Sequence, residues 1–154
     1  MSNEFNMPTE TVDLPSKGLL YPADSPLANG KIEMKYMTAK EEDILTNQNY
    51  IQKGLVIDKL LEALIVTKVN YNDILIGDKD ALLIASRILG YGKDYKFNMY
   101  DEEVSVDLTT LVNKELDPKL ILEERKNEFT YKLPTTDNTI TFKLLSQKDE
   151  KELQ

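Results

Sequence analysis

The feature that most constrains this chain is a pattern that occurs twice, once near each end. Residues Leu14-Pro15-Ser16-Lys17-Gly18 lead through a loop into Gly30-Lys31-Ile32-Glu33-Met34-Lys35-Tyr36-Met37-Thr38-Ala39-Lys40-Glu41, and the same line ends at Leu45. Near the C-terminus, Leu133-Pro134-Thr135-Thr136-Asp137-Asn138 leads into Thr139-Ile140-Thr141-Phe142-Lys143-Leu144-Leu145-Ser146, ending at Leu153. Placing Ile32 on Ile140 also places Met34 on Phe142, Tyr36 on Leu144, Met37 on Leu145, Thr38 on Ser146 and Leu45 on Leu153.

Each copy reads as a physical unit. Ile32, Met34 and Tyr36 alternate with Glu33 and Lys35, the period-2 signature of a half-buried strand, and Ile140, Phe142 and Leu144 do the same. A helix start follows. Thr38 with Glu41 fits a capping box, and Ser146 with Asp149 is a version expected to be weaker because Asp is shorter. Leu-Pro favours an extended entry, and Asp137-Asn138 supplies a turn where the first copy has a longer loop. The expectation is two similar hairpin-to-helix units.

Between them the chain predicts helices first and hairpins later. Residues Met1 to Thr11 are polar and read as a flexible N-terminal segment, followed by a single compact α+β domain over 12–154 with a helical lobe (38–92) and a hairpin lobe (93–145). Helix one is expected from Ala39 to Asn47. Gly54 breaks the pattern before a second helix, in which Leu55, Val56, Ile57, Leu60, Leu61, Leu64 and Ile65 cover more than one face, marking it as central. Burial within the chain explains that helix better than isologous association. Asp73 to Ile76 is a short apolar bridge; Asp78 or Asp80 is read as the cap of a third helix over Ala81 to Leu89, with Gly90 as its left-handed stop. Tyr95, Phe97 and Met99, then Val104 and Val106, alternate around Asp101-Glu102-Glu103 as a second hairpin. Asp107 caps a short helical segment at 108–112, Pro118 permits another over 119–125, and Phe129, Tyr131 and Leu133 begin the final hairpin.

Composition excludes several function classes. The formal net charge of -8 disfavours binding to nucleic-acid phosphates. No apolar run approaches the ~20 residues that span a bilayer, and Met1-Ser2-Asn3-Glu4 is unlike a secretory signal, so a soluble protein with no membrane partner is expected. Without His or Cys there is no Ser-His-Asp triad, Cys-His pair, disulfide or common zinc site. Glu41-Glu42, Glu102-Glu103 and Glu123-Glu124 are neighbours that point apart, better read as solvated charges than as an acid and base. Asp78-Lys79-Asp80 lacks the glycine and glutamate of a calcium loop, and Gly90-Tyr91-Gly92-Lys93 follows a helix and lacks the spacing of a phosphate loop. No catalytic residue, cofactor or metal is expected; a small carboxylate-dependent enzyme is the remote alternative.

Leu14-Pro15-Ser16-Lys17-Gly18-Leu19-Leu20-Tyr21-Pro22, Gly30-Lys31-Ile32 and Thr38 to Asn47 resemble the baseplate-hub assembly proteins of T-even-type contractile-tailed bacteriophages. The resemblance continues through the apolar helix, Arg87-Ile88-Leu89-Gly90-Tyr91-Gly92, the Tyr95 strand, Val106-Asp107-Leu108 and Phe129 to Pro134, covering most of the chain from Val12. Many members of that family carry a Cys-x-x-Cys pair in the segment matching Phe97 to Val106, which this chain lacks, so no metal role carries over. Lys148 to Gln154 reads as the first turns of a helix, a shortened or compact ending. The resemblance implies a non-enzymatic viral assembly factor, made in the host cytoplasm, that binds hub or tape-measure subunits. A permanent structural subunit of the tail baseplate is the alternative. The expected contact surface is the loop carrying Pro15, Lys17, Gly18, Leu19, Leu20, Tyr21 and Pro22, together with the paired strand-to-helix corners.

Overall fold

The computed structural model describes residues 7–115 and 125–153. It is an α+β fold with five α-helices and three small antiparallel hairpins among those residues. Strand β1 (Thr9–Asp13) pairs with β2 (Lys31–Lys35), and α1 (Ala39–Leu45), α2 (Gln48–Gln52), α3 (Val56–Leu64) and α4 (Ile76–Tyr91) follow. The hairpins β3 (Asp94–Met99) with β4 (Glu102–Asp107) and β5 (Phe129–Lys132) with β6 (Thr139–Phe142) come next, before α5 (Gln147–Leu153). No helix among the described residues is long and apolar enough to cross a membrane.

The two end units match atom for atom at their key joints. The amide of Leu14 donates to the Gly30 carbonyl at 2.8 Å, and that of Leu133 donates to Asn138 at 2.8 Å, each closing a hairpin at its Leu-Pro. Val12 lies opposite Ile32 as Tyr131 lies opposite Ile140. The Thr38 amide donates to the Glu41 carboxylate at 3.0 Å and the Ser146 amide to Asp149 at 2.9 Å. The shorter Asp side chain therefore reaches the cap amide at the same distance as Glu, while the reciprocal bond, from the Asp149 amide to the Ser146 hydroxyl oxygen, is long at 3.4 Å. Lys35 reaches Glu41 at 2.7 Å, and Lys143, 108 positions later, reaches Asp149 at 2.6 Å.

The core sits between the first unit and the helices. Ile32 and Met34 from β2, Leu60, Leu61 and Leu64 from α3, Leu82 from α4, and Leu14, Leu20, Tyr21 and Leu27 from the first loop are all buried in one cluster. The residue after α3, Ile65, bridges antiparallel to Met34, and the Val66 amide donates to the Glu33 carbonyl at 2.8 Å. The apolar second helix is central, as its pattern predicts. The second unit docks differently, through its corner: Leu75 bridges to Ser146, Ile76 donates to Leu145 and Gln147 donates to Ile74.

Several boundaries differ from the sequence reading, each for a local reason. Helix α1 stops at Leu45 because the Asn47 side chain accepts the Asn49 and Tyr50 amides and starts a separate helix, α2. Helix α4 begins at Ile76, before Asp78, whose carboxylate is buried and engaged elsewhere, so neither Asp78 nor Asp80 is the N-cap. It also runs through Gly90 and ends at Gly92, which has positive φ (82°) but an extended ψ (172°) in place of the expected left-handed helical stop. Gly90 lies against Met37, whose Cε would stand 3.0 Å from an added Cβ. Strand β1 begins at Thr9, inside the segment expected to be flexible. Asp107 caps a 3-10 turn over Leu108–Thr110, shorter than the expected 108–112 segment. The expected 119–125 helix falls almost wholly outside the described residues.

The central hairpin is tightly made without cysteines. Its two-residue turn, Tyr100-Asp101, has positive φ at both positions (51° and 65°), the pattern of a type I′ turn that suits strand twist. Arg87 on α4 ties it to the core by donating to the Gly92 and Asp94 carbonyls while stacking 5.2 Å over Tyr91 and 5.6 Å over Tyr95.

Candidate partner-binding surface

The long loop of the first unit is organised by one buried carboxylate. The Ser16 amide (2.9 Å), the Ser16 hydroxyl (2.7 Å) and the Tyr21 hydroxyl (2.6 Å) all donate to Asp78, and the Leu75 amide donates to the Tyr21 oxygen at 2.9 Å. Burial, reinforced by Asp78, pushes the Tyr21 hydroxyl far above its ordinary range, so it remains a donor. Gly18 (φ 73°) completes the turn, where an added Cβ would meet the Ala28 carbonyl oxygen at 2.4 Å.

This knot divides the residues expected to touch a partner. Gly18, Leu20 and Tyr21 are buried, Pro15 and Leu19 are half-buried, and Lys17 and Pro22 are exposed. Leu20 and Tyr21 are therefore part of the core, and polar substitution there would not leave the fold intact. Asp78 is the residue that the sequence reading placed wrongly. Its partners lie 57 to 62 positions away, so no local signal marks it.

The loop does meet a strand-to-helix corner, the second one. A groove of about 280 Å³ is lined by Pro15 and Leu20 of the loop, Leu75 and Ile76 at the start of α4, Leu144 and Leu145 of the corner, and Lys114. Around Leu20 a second groove, about 400 Å³, includes Tyr21, Pro22, Ser146 and Asp149. The first corner is elsewhere: Met37 packs against Gly90 of α4.

A polar clamp holds α5 beside these grooves. Lys79 lies 3.2 Å from Asp58 and 3.0 Å from Glu150, Tyr71 donates to Asp58 at 2.9 Å, and the Gln147 amide donates to Asp58 at 3.1 Å. Burial acts to lower the Lys79 ammonium, but Glu150 and Asp58 outweigh it and the net direction is upward. These charges hold one another in place. Among the described residues, no group of three Asp, Glu, His or Cys side chains could hold a metal ion.

The remaining distinctive chemistry is apolar and open. Tyr95, Phe97 and Met99 project from one face of β3, and Tyr131, Ile140 and Phe142 share one face of the last hairpin, where Phe129 and Phe142 stack at 5.5 Å. With Leu144 and Leu145 this forms an exposed strip leading into the 280 Å³ groove. Single exposed apolar residues are ordinary, whereas contiguous ones mark interaction sites. No protein-family model, no curated protein and no solved structure matches this chain.

Proposed function

We propose that this protein is a non-enzymatic assembly factor of a contractile bacteriophage tail, binding hub or tape-measure subunits in the host cytoplasm. The observation that carries this reading is the apolar strip of Tyr131, Ile140, Phe142, Leu144 and Leu145 continuing into the groove beside Pro15 and Leu20. An acidic chain with such a strip is suited to cover apolar or basic surfaces of other subunits, with its net charge of -8 steering encounter and disfavouring wrong contacts. The resemblance of its Leu14 to Pro22 and Thr38 to Asn47 segments to baseplate-hub assembly proteins supplies the partner class. The two end units are one structural module used twice, the first elaborated by its long loop.

Co-expression with candidate hub and tape-measure proteins, followed by affinity purification and sizing, tests the proposal. Co-elution with one of them is expected, and a protein that binds none of them refutes it. A permanent baseplate subunit is the second reading, favoured by the open faces of both later hairpins, which a lasting interface would bury. Abundance in purified mature particles would select it over a transient factor.

A further inference from the structure

The first unit supplies a template for what the second one binds. In the first, Ile32 and Met34 are 1% and 0% exposed, in the core cluster to which α3 contributes Leu60, Leu61 and Leu64. Helix α3 also packs along α1, and the chain leaving it bridges to the free edge of β2 through Ile65 and Val66. The corresponding Ile140 and Phe142 are 43% and 48% exposed, and Leu153, at the place of the half-buried Leu45, is 76% exposed. The local frame of hairpin, cap and helix is the same, yet among the described residues no helix lies where α3 would lie. Thr141 holds the register position of Glu33, whose amide and carbonyl face Thr67 and Val66 away from β1.

We infer that the face formed by β6 and α5 is a docking site for an amphipathic helix of a partner protein, seated as α3 is seated on β2 and α1. The helix would present leucine-like side chains at the spacing of Leu60, Leu61 and Leu64. The extended residues after it would pair with the free edge of β6 at Thr141, as Val66 pairs with Glu33. Its charge is also constrained. Residues 139–153, which form the face, carry three basic and three acidic side chains within a chain of net charge -8, so this face repels an acidic partner less than the rest of the molecule does. Helix α3 itself turns Asp58 into the polar clamp with Tyr71, Lys79 and Gln147 and carries the Lys59–Glu62 ion pair outside its buried residues.

This inference rests on the assembly-factor reading but is tested without any phage protein. The probe is a fluorescent synthetic peptide with the sequence of residues 54–67, the α3 segment itself, titrated into the full-length chain and followed by anisotropy. Saturable binding is expected, weakened at least tenfold by Ile140→Asp and by Leu153→Asp, and unchanged by Ile51→Asp on α2. Circular dichroism of each variant establishes that it is folded; Leu153 is so exposed that its substitution leaves the core untouched. No binding, or binding indifferent to both Ile140→Asp and Leu153→Asp, overturns the site, the second result meaning that the peptide displaces its own copy in the first unit. A chain that sizes as a dimer, dissociated by Ile140→Asp, would overturn it in favour of self-association. If the peptide binds as expected but no hub or tape-measure protein co-purifies, the docking site stands and the assembly role falls.

Discussion

The first and last hairpins are built alike and buried oppositely. Both close at a Leu-Pro, both cap the following helix with a carboxylate three residues on, and both brace that carboxylate with a lysine from the strand. Yet Met34 is wholly inside and Phe142 is half in solvent. The comparison separates two levels of specification. Turn, cap and strand geometry follow from neighbouring residues and survive without a core over them, whereas burial is decided by what else the chain, or another chain, brings to that face.

The sharpest way to break the comparison is to truncate the paired apolar residues. Met34→Ala should cost about 2–5 kcal/mol, the range for a fully buried side chain. Phe142→Ala should cost about 1 kcal/mol, chiefly its stacking on Phe129. Equal losses in urea denaturation would mean that the second unit is covered in solution. Next in size, Asp78→Ala should destabilise by about 3 kcal/mol, since it strands the buried Ser16 and Tyr21 hydroxyls without an acceptor. No residue of the second unit's short loop has such an anchor among the described residues, so trimming Thr135 to Ala should leave the melting temperature nearly unchanged.

The caps distinguish the units by pH. Burial acts to raise the Glu41 carboxyl, but hydrogen bonds from Lys35 and Thr38 overcome it and hold it at about 2, below its ordinary value of 4.5. Its contribution is therefore complete above about pH 4.5 and is lost as pH falls through about 2. Glu41→Gln should flatten the acid limb of stability against pH between those values, with a loss near neutrality of about 1 kcal/mol for the weakened cap and ion pair. Asp149 is also held low, first by Lys143 and then by Ser146, at a half-buried position beside a half-exposed lysine. Asp149→Asn should therefore produce a smaller effect than Glu41→Gln, fading in high salt, read as a change in helix content of α5 by amide exchange.

Much of this fold was legible because it is local. Period-2 alternation marked the strands, the Thr38 and Asp107 caps were found from their spacing, and the greasy run from Leu55 to Ile65 announced the central helix. The failures share a cause in tertiary contact. Asp78 reads as a cap because aspartate near a helix start usually is one, and only the folded chain reveals Ser16 and Tyr21 around it. Gly90 reads as a stop, but packing against Met37 carries the helix past it. The candidate surface was half legible for the same reason: an apolar loop and an apolar corner are visible in the sequence, and their juxtaposition across Leu75 and Ile76 is not.

The Asp78 knot also sets a clock. Its anchor lies 62 residues downstream of Ser16, so a chain emerging from the ribosome exposes the Leu19-Leu20-Tyr21 segment before anything can hold it. At translation rates of about 5–20 residues per second that interval lasts roughly 3–12 s. During it, the nascent loop is an apolar, unlatched segment of polypeptide.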